Sequence, residues 1–408
     1  LWLFAAMVFF TIRLGFLNLR GFATGWRVLA GRYEDPDAPG ELSPFQALST
    51  ALASTVGLGN IAGVAIAIAM GGPGAAFWMI IIGFFAMSLK YAEVTLAVRY
   101  RVINDDGTVS GGPMWYLSRG LAERRMPLLG KVLATAYAVF ALFAFVQVIQ
   151  VNQSYAQLSE VVGLERDAGW ALAYGIVIAA IAALVLIGGV HSIGEVTSRL
   201  IPFMCALYVC GVLVVLAVNL EAVPGAIVTM VHDAFSADAA AGGLAGSFVA
   251  GMRRAAYSNE AGIGSASIAH SAAKTNLPAT EGLVALFEPF IDTVVICTLT
   301  ALVIGVAISC DIDQADVIAQ YMGDADELVA SAWVGGVRIA DHPLTQEPAP
   351  EGSIFFDATK FGADAPACGD LTWVIEAVNP SISTCVVRGD EADDLRTAGD
   401  IPSDCADI

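Results

Sequence analysis

The chain alternates long apolar runs with short polar connections. Leu42 to Leu89 holds 48 residues without a charged side chain, and Val132–Ser159, Ala168–Val190 and Leu200–Leu220 add uncharged runs of 28, 23 and 21. Each is long enough to cross a hydrocarbon core, which takes about 20 apolar residues. Backbone in that environment must satisfy its own hydrogen bonds, and the runs lack the strict alternation of barrel strands, so the pattern predicts membrane helices. Eight spans are expected, at 1–17, 45–70, 75–98, 131–158, 169–190, 198–219, 244–270 and 282–308. The 48-residue run divides at Gly71-Gly72-Pro73-Gly74, where glycines and a proline end one helix and turn the chain.

Composition agrees with this and adds a boundary. Of 408 residues, 57% are hydrophobic and 14% charged, which argues against an ordinary soluble enzyme. The net charge of −19 disfavours nucleic acid as a partner, but it is unevenly placed. Up to Ser309 there are 16 Lys/Arg against 19 Asp/Glu; beyond it, 4 against 20. Residues 1–308 therefore read as a transmembrane bundle, with 1–17 peripheral and the core at 45–308, and 309–408 as a separate acidic region. Basic residues collect in the connections 18–44 and 99–131, so these face the cytoplasm. That orientation makes the protein multi-pass in the plasma (inner) membrane, with 309–408 extracytoplasmic.

Cys310, Cys368, Cys385 and Cys405 lie in the acidic region, where an oxidising compartment permits one or two disulfides; four cysteines allow three complete pairings. Cys205, Cys210 and Cys297 lie in apolar spans and read as small hydrophobes. No C-x₂-C pair or calcium-loop pattern occurs in the acidic region, so neither zinc nor calcium is expected there. Its scattered aromatics, Trp333, Phe355, Phe356, Phe361 and Trp373, suggest a small core of its own.

Two spans depart from uniform apolarity in the same way. The second contains Ser54-Thr55-Val56-Gly57-Leu58-Gly59-Asn60, and the seventh Tyr257-Ser258-Asn259-Glu260-Ala261-Gly262-Ile263-Gly264-Ser265. Glycines two apart, flanked by hydroxyls and Asn, favour local unwinding, since glycine costs about 1 kcal/mol of helix propensity relative to alanine. Freed amides at the positive end of a half-helix suit a carboxylate, and freed carbonyls suit a bare cation. Small-residue patches also serve close helix packing, which is the competing reading of either patch alone. The two are offset by five spans, the spacing of corresponding helices in two five-helix repeats of inverted topology.

Among other polar groups in the spans, Gln150 and Asn152 can reach a central site from the fourth span. Lys90 and Glu93, one turn apart, are expected to pair with each other; Arg253 and Arg254 are the candidates to neutralise Glu260. Asp292 is a second intramembrane charge in need of a partner or a function. No H-E-x-x-H or G-x-S-x-G occurs, so an enzyme is not expected.

At these residues the chain resembles the alanine/glycine:cation symporters, also called sodium:alanine symporters. The likeness rests on A-S-T-V-G-L-G-N-I-A-G-V-A at 53–65, G-G-P-G-A-A-F-W at 71–78, K-Y-A-E at 90–93 and G-G-P-M-W-Y at 111–116. It continues with R-R-A-A-Y-S-N-E-A-G-I-G-S-A at 253–266 and F-I-D-T at 290–293. The resemblance implies an all-α membrane protein with a LeuT-type inverted-repeat bundle, and alternating-access import of alanine or glycine coupled to Na⁺, with H⁺ as the other coupling ion to consider. It implies no cofactor. Amides of Gly57, Leu58 and Gly59 would receive the substrate carboxylate, with Thr55, Asn60, Gln150 and Asn152 adding side-chain contacts. Ser258, Asn259, Gly262 and Gly264 would hold the amino group and limit the pocket. Carbonyls of Ala53 and Val56, with Asn60 and Asp292, would hold Na⁺.

Two departures from the family pattern stand out. Leu58 occupies the place between the glycines where relatives commonly carry Thr, which is expected to shift substrate preference. About three further spans would complete the second repeat, so the sequence reads as a piece of a longer chain. A receptor binding its ligand through the acidic region is the reading from a different class.

Overall fold

The computed structural model describes residues 2–33, 35, 37–144, 148–163, 167–236 and 243–309, together with the backbone of strands within 328–388. Up to Ser309 it is almost entirely helical, and the apolar helices make it a membrane protein. The cysteines at 310, 368 and 405, the side chain of Cys385 and the acidic region's aromatic side chains all lie outside the described residues.

Among the described residues four helices are long and apolar enough to cross a membrane: Pro73–Tyr100, Ala168–Ile187, Gly189–Val218 and Pro278–Ala307. A fifth span is the pair Pro44–Thr55 and Leu58–Gly71, bent by 43° at the break. The other stretches expected to span divide into shorter helices. The first ends at Arg13 and continues as Leu17–Arg20 and Phe22–Leu29; the fourth is described as Pro127–Ala144 and Val148–Val162; the seventh is Gly243–Asn259 followed by Ser265–Ser271. Apolar length marks where a chain can enter lipid, whereas helix ends are set by backbone partners.

The same distinction explains Gly189–Val218, which begins nine residues before its expected start. Its polar first turns stay helical and carry the exposed Glu195–Arg199 pair at 2.8 Å, one turn apart. Ala168–Ile187 has no buried residue, and Leu172, Ile176, Leu184 and Ile187 lie open on it, the surface of a helix that faces lipid.

The chain divides into two compact units. One comprises Leu1–Val64, Trp78–Gly211 and Gly251–Leu299; the other comprises Ala65–Phe77, Val212–Ala250 and Thr300–Ile408. In the first, Ser43 caps Pro44–Thr55 in a reciprocal box. Its hydroxyl accepts from the Gln46 N–H at 3.2 Å while the Gln46 side chain accepts from the Ser43 N–H at 2.9 Å. That helix packs through Leu48 and Leu52 on Val28, Ile201, Val284 and Phe287. The Phe22 ring packs tilted against Phe287 and edge-on to Phe290, with ring centroids 4.5 and 4.8 Å away.

A clasp fixes the entry of this helix. Glu41 and Leu42 N–H both donate to the Ala272 carbonyl, and Lys274 N–H donates back to Leu42. Arg101 gathers four carbonyls, those of Pro39, Ser271, Ala273 and Thr275, at 2.6–2.7 Å. A guanidinium has the fork of donors for this and a lysine does not.

In the second unit, Gly72 turns the chain at φ +77°, and the Asp233 carboxylate accepts from Gly74 N–H at 2.8 Å. A carboxylate there satisfies an orphan donor and opposes the positive end of the helix beginning at Pro73. Asp233→Ala is expected to lower stability by about 1 kcal/mol, read as a thermal shift of the purified protein. The acidic region adds an antiparallel sheet that the sequence pattern did not predict, with Leu328–Val334 and Thr372–Ala377 central and Val337–Leu344 and Cys385–Arg388 at the edges.

Candidate functional site

Both glycine patches are helix breaks. At the first, the Gly57 N–H leaves the helical ladder and donates to Asn60 Oδ1 at 2.8 Å. In an unbroken helix that N–H would serve the Ala53 carbonyl. Leu58 and Gly59 then open the second half-helix, so their amides lie at its positive end. At the second break, Asn259 Oδ1 accepts from Ala261 N–H at 3.0 Å, and Glu260, Gly262 and Gly264 all take positive φ, at 50°, 85° and 101°. A side chain on Gly264 would meet Pro113 and the Tyr137 hydroxyl, so this turn is open to glycine alone.

Asn60 connects these elements. Its Nδ2 donates to Asp292 Oδ1 at 2.6 Å, lies 3.0 Å from the Asp292 carbonyl and is 3.2 Å from Ser258 Oγ. Ser258 and Thr293 hydroxyls both donate to Asp292 Oδ2 at 2.8 Å. Asn60, Ser258, Asp292, Thr293 and Cys297 are all buried. Phe290–Cys297 is π-helical, a wider turn that often marks a functional site. The network thus joins the first break, the helix end before the second break and a π turn, around one carboxylate.

The remaining residues singled out in the sequence fall into two groups. Gly57, Gly59 and Gln150 adjoin the network. A Cβ on Gly57 would lie 3.5 Å from Gln150 Oε1, and one on Gly59 would lie 3.7 Å from the Ser258 Cα and 3.8 Å from the Tyr257 ring. Leu58 and Val56 are half-buried beside them. Thr55 is buried, but its hydroxyl turns back toward the Leu52 carbonyl at 3.5 Å. Asn152 and Ala53 are exposed, and the structure does not bring them into the buried network.

Two expected ion pairs are replaced by others. Lys90 does not pair with Glu93: its Nζ lies 3.0 Å from Glu288 Oε1, both side chains being fully buried. Glu93 instead accepts from Gly262 N–H at 2.8 Å. Helical spacing made Lys90 and Glu93 neighbours, but tertiary packing supplied each with another partner. Glu260 is met by the Ser265 hydroxyl, while Arg254 stacks over the Tyr257 ring at 6.0 Å and Arg253 is exposed. Glu260 stands in a left-handed turn just past the helix that holds the arginines, and its partner comes from the chain that follows. Cys297, read as a small hydrophobe, also donates to the Asp292 carbonyl at 3.3 Å.

Thr293, Cys297 and Glu288 were not among the candidates. The available signal was Glu288 and Asp292 one turn apart in an otherwise apolar span, since carboxylates at that depth need partners.

The model of the sodium:alanine symporter family matches residues 1–335. The chain belongs to that family. It is 41% identical over 304 residues to the sodium/alanine symporter AgcS of Methanococcus maripaludis, covering 74% of this chain and 65% of that protein. It is 37% identical over 303 residues to the probable sodium/glutamine symporter GlnT of Bacillus subtilis (73% and 60%), and 35% over 298 residues to that organism's amino-acid carrier protein AlsT (73% and 61%). The chain thus spans less than two thirds of the length of these relatives. As a member of a transporter family it is assigned to the membrane and not to an enzyme class, and nothing in the comparisons supports a receptor.

Proposed function

We propose that this protein is a secondary transporter that imports a small neutral amino acid, alanine first and glycine next, together with Na⁺. The observation that carries the reading is the Asn60–Asp292 junction, where a side chain from one broken helix meets a buried carboxylate and Ser258 at the head of the other break. Substrate carboxylate would meet the Leu58 and Gly59 amides, its amino group the Ser258–Gly264 segment. Na⁺ would take hard oxygen donors from Asp292, Asn60 and the Val56 carbonyl. One ion and one substrate sharing this junction couples their free energies, and the bundle rearranges around the site without chemistry. Relatives described for alanine and for glutamine show that family membership alone does not set side-chain size. Gly59, close to Tyr257 and Ser258, is the position where added bulk would fill the space between the breaks. On this reading residues 309–408 form an extracytoplasmic region apart from the 1–308 bundle, and transport does not pass through it.

The test is uptake of labelled alanine by the full gene product in liposomes under an inward Na⁺ gradient. Uptake that disappears when K⁺ replaces Na⁺ is expected, and uptake indifferent to Na⁺ would refute the coupling. Gly59→Val is expected to abolish uptake, with insertion and elution profile unchanged. Normal uptake by that variant would remove the first break from the site.

A further inference from the structure

A second set of buried charges lies outside the Asp292 network. Lys90 and Glu288 are each 0% exposed and paired at 3.0 Å, so one ammonium is matched to one carboxylate. Two further carboxylates, Glu93 and Glu260, lie within the electrostatic reach of Lys90. Glu260 is half-buried and held by the Ser265 hydroxyl. Glu93 is only 6% exposed; its Oε2 accepts from Gly262 N–H, and its Oε1 is buried with no hydrogen-bond partner among the described residues.

Among the described residues, the groups near Glu93 do not supply a second cation. They are Tyr116 from Pro113–Glu123, Tyr137 from Pro127–Ala144, Glu288 and Lys90. Beyond them stand Glu260 and, against Glu288, Asp292. Lys90 is thus surrounded by more negative charge than it can balance. A carboxylate left ionised in such a site, with one oxygen unmet, is strongly disfavoured relative to its neutral form.

We propose that Glu93 is a proton-binding site, carrying a proton while Lys90 is paired with Glu288. The proton adds to Oε1, and Oε2 keeps its hydrogen bond from Gly262. Because Glu93 accepts from the Gly262 N–H, its charge sets how firmly the second break is held. The site rests on charge and burial and holds whether or not the protein carries alanine.

Infrared difference spectra of the purified full gene product in lipid, in H₂O and D₂O at neutral pH, test this. A deuterium-sensitive carboxylic C=O component is expected in the wild type, absent in Glu93→Gln and unchanged in Glu260→Gln. It is also expected to vanish in Glu288→Gln, where Lys90 is released to pair with Glu93, a readout available even should Glu93→Gln fail to fold. Survival of the component in either Glu93→Gln or Glu288→Gln overturns the proposal. So does its loss from the wild type on adding NaCl at constant pH, which would make the cluster a metal-cation site. Uptake is measured separately, so failure here leaves the transport reading to stand or fall alone.

Discussion

Replacing Asp292 with asparagine is expected to reduce Na⁺-driven alanine uptake to background while the protein still reaches the membrane. The carboxylate accepts from three side chains, Asn60 Nδ2 at one oxygen and the hydroxyls of Ser258 and Thr293 at the other. Asparagine preserves the shape, removes the charge a cation would need, and turns one acceptor into a donor. Facing an amide from Asn60 or two hydroxyls, that donor disturbs a fully buried network at a cost of about 1–3 kcal/mol. Two measurements separate the effects. Adding NaCl should raise the melting temperature of the wild type, because an ion that binds only the folded state stabilises it, and should leave Asp292→Asn unmoved. Uptake should then be lost in the variant even at temperatures where it is fully folded. Normal Na⁺-dependent uptake by Asp292→Asn would remove this residue from the ion path.

Lys90→Met is expected to be among the most destabilising substitutions of a single side chain in the bundle. It leaves Glu288 fully buried without its ion-pair partner, with Glu93 nearby. Breaking a buried pair from one side typically costs about 3–5 kcal/mol, while removing both charges together is often close to neutral. The double variant Lys90→Met/Glu288→Gln should therefore recover most of what Lys90→Met loses. Thermal or detergent denaturation of the two singles and the double gives the coupling directly. A loss under about 1 kcal/mol in Lys90→Met would show that the pair is not what holds Glu288 there.

The two broken helices were legible in the sequence because their cause is local. Gly57, Gly59, Gly262 and Gly264 weaken the helix where they stand, and the adjacent hydroxyls and amides offer the backbone other partners, as Asn60 does for Gly57 and Asn259 for Ala261. Asn60 and Asp292 could each be singled out, since polar groups inside apolar spans need a reason to be there. Their meeting could not, because 232 residues separate them. Local rules misled where two partners competed. Helical spacing joined Lys90 to Glu93 and put arginines near Glu260, yet a residue from another helix and a left-handed turn decided both cases. Cys297 shows the same limit, as a small apolar side chain by composition that becomes a polar contact only through the π turn that brings its sulfur to the Asp292 carbonyl.

By itself the sequence determined that this is a helical membrane protein, where its helices break, and which residue types stand at the breaks. Hydrophobicity, glycine content and charge act within a few residues of where they are written, so they can be read along the chain. Only the tertiary structure decided which buried groups satisfy one another: Asn60 with Asp292, Lys90 with Glu288, Glu93 with Gly262. In a low-dielectric interior every charge and donor must find a partner, and packing between distant helices determines which one it finds.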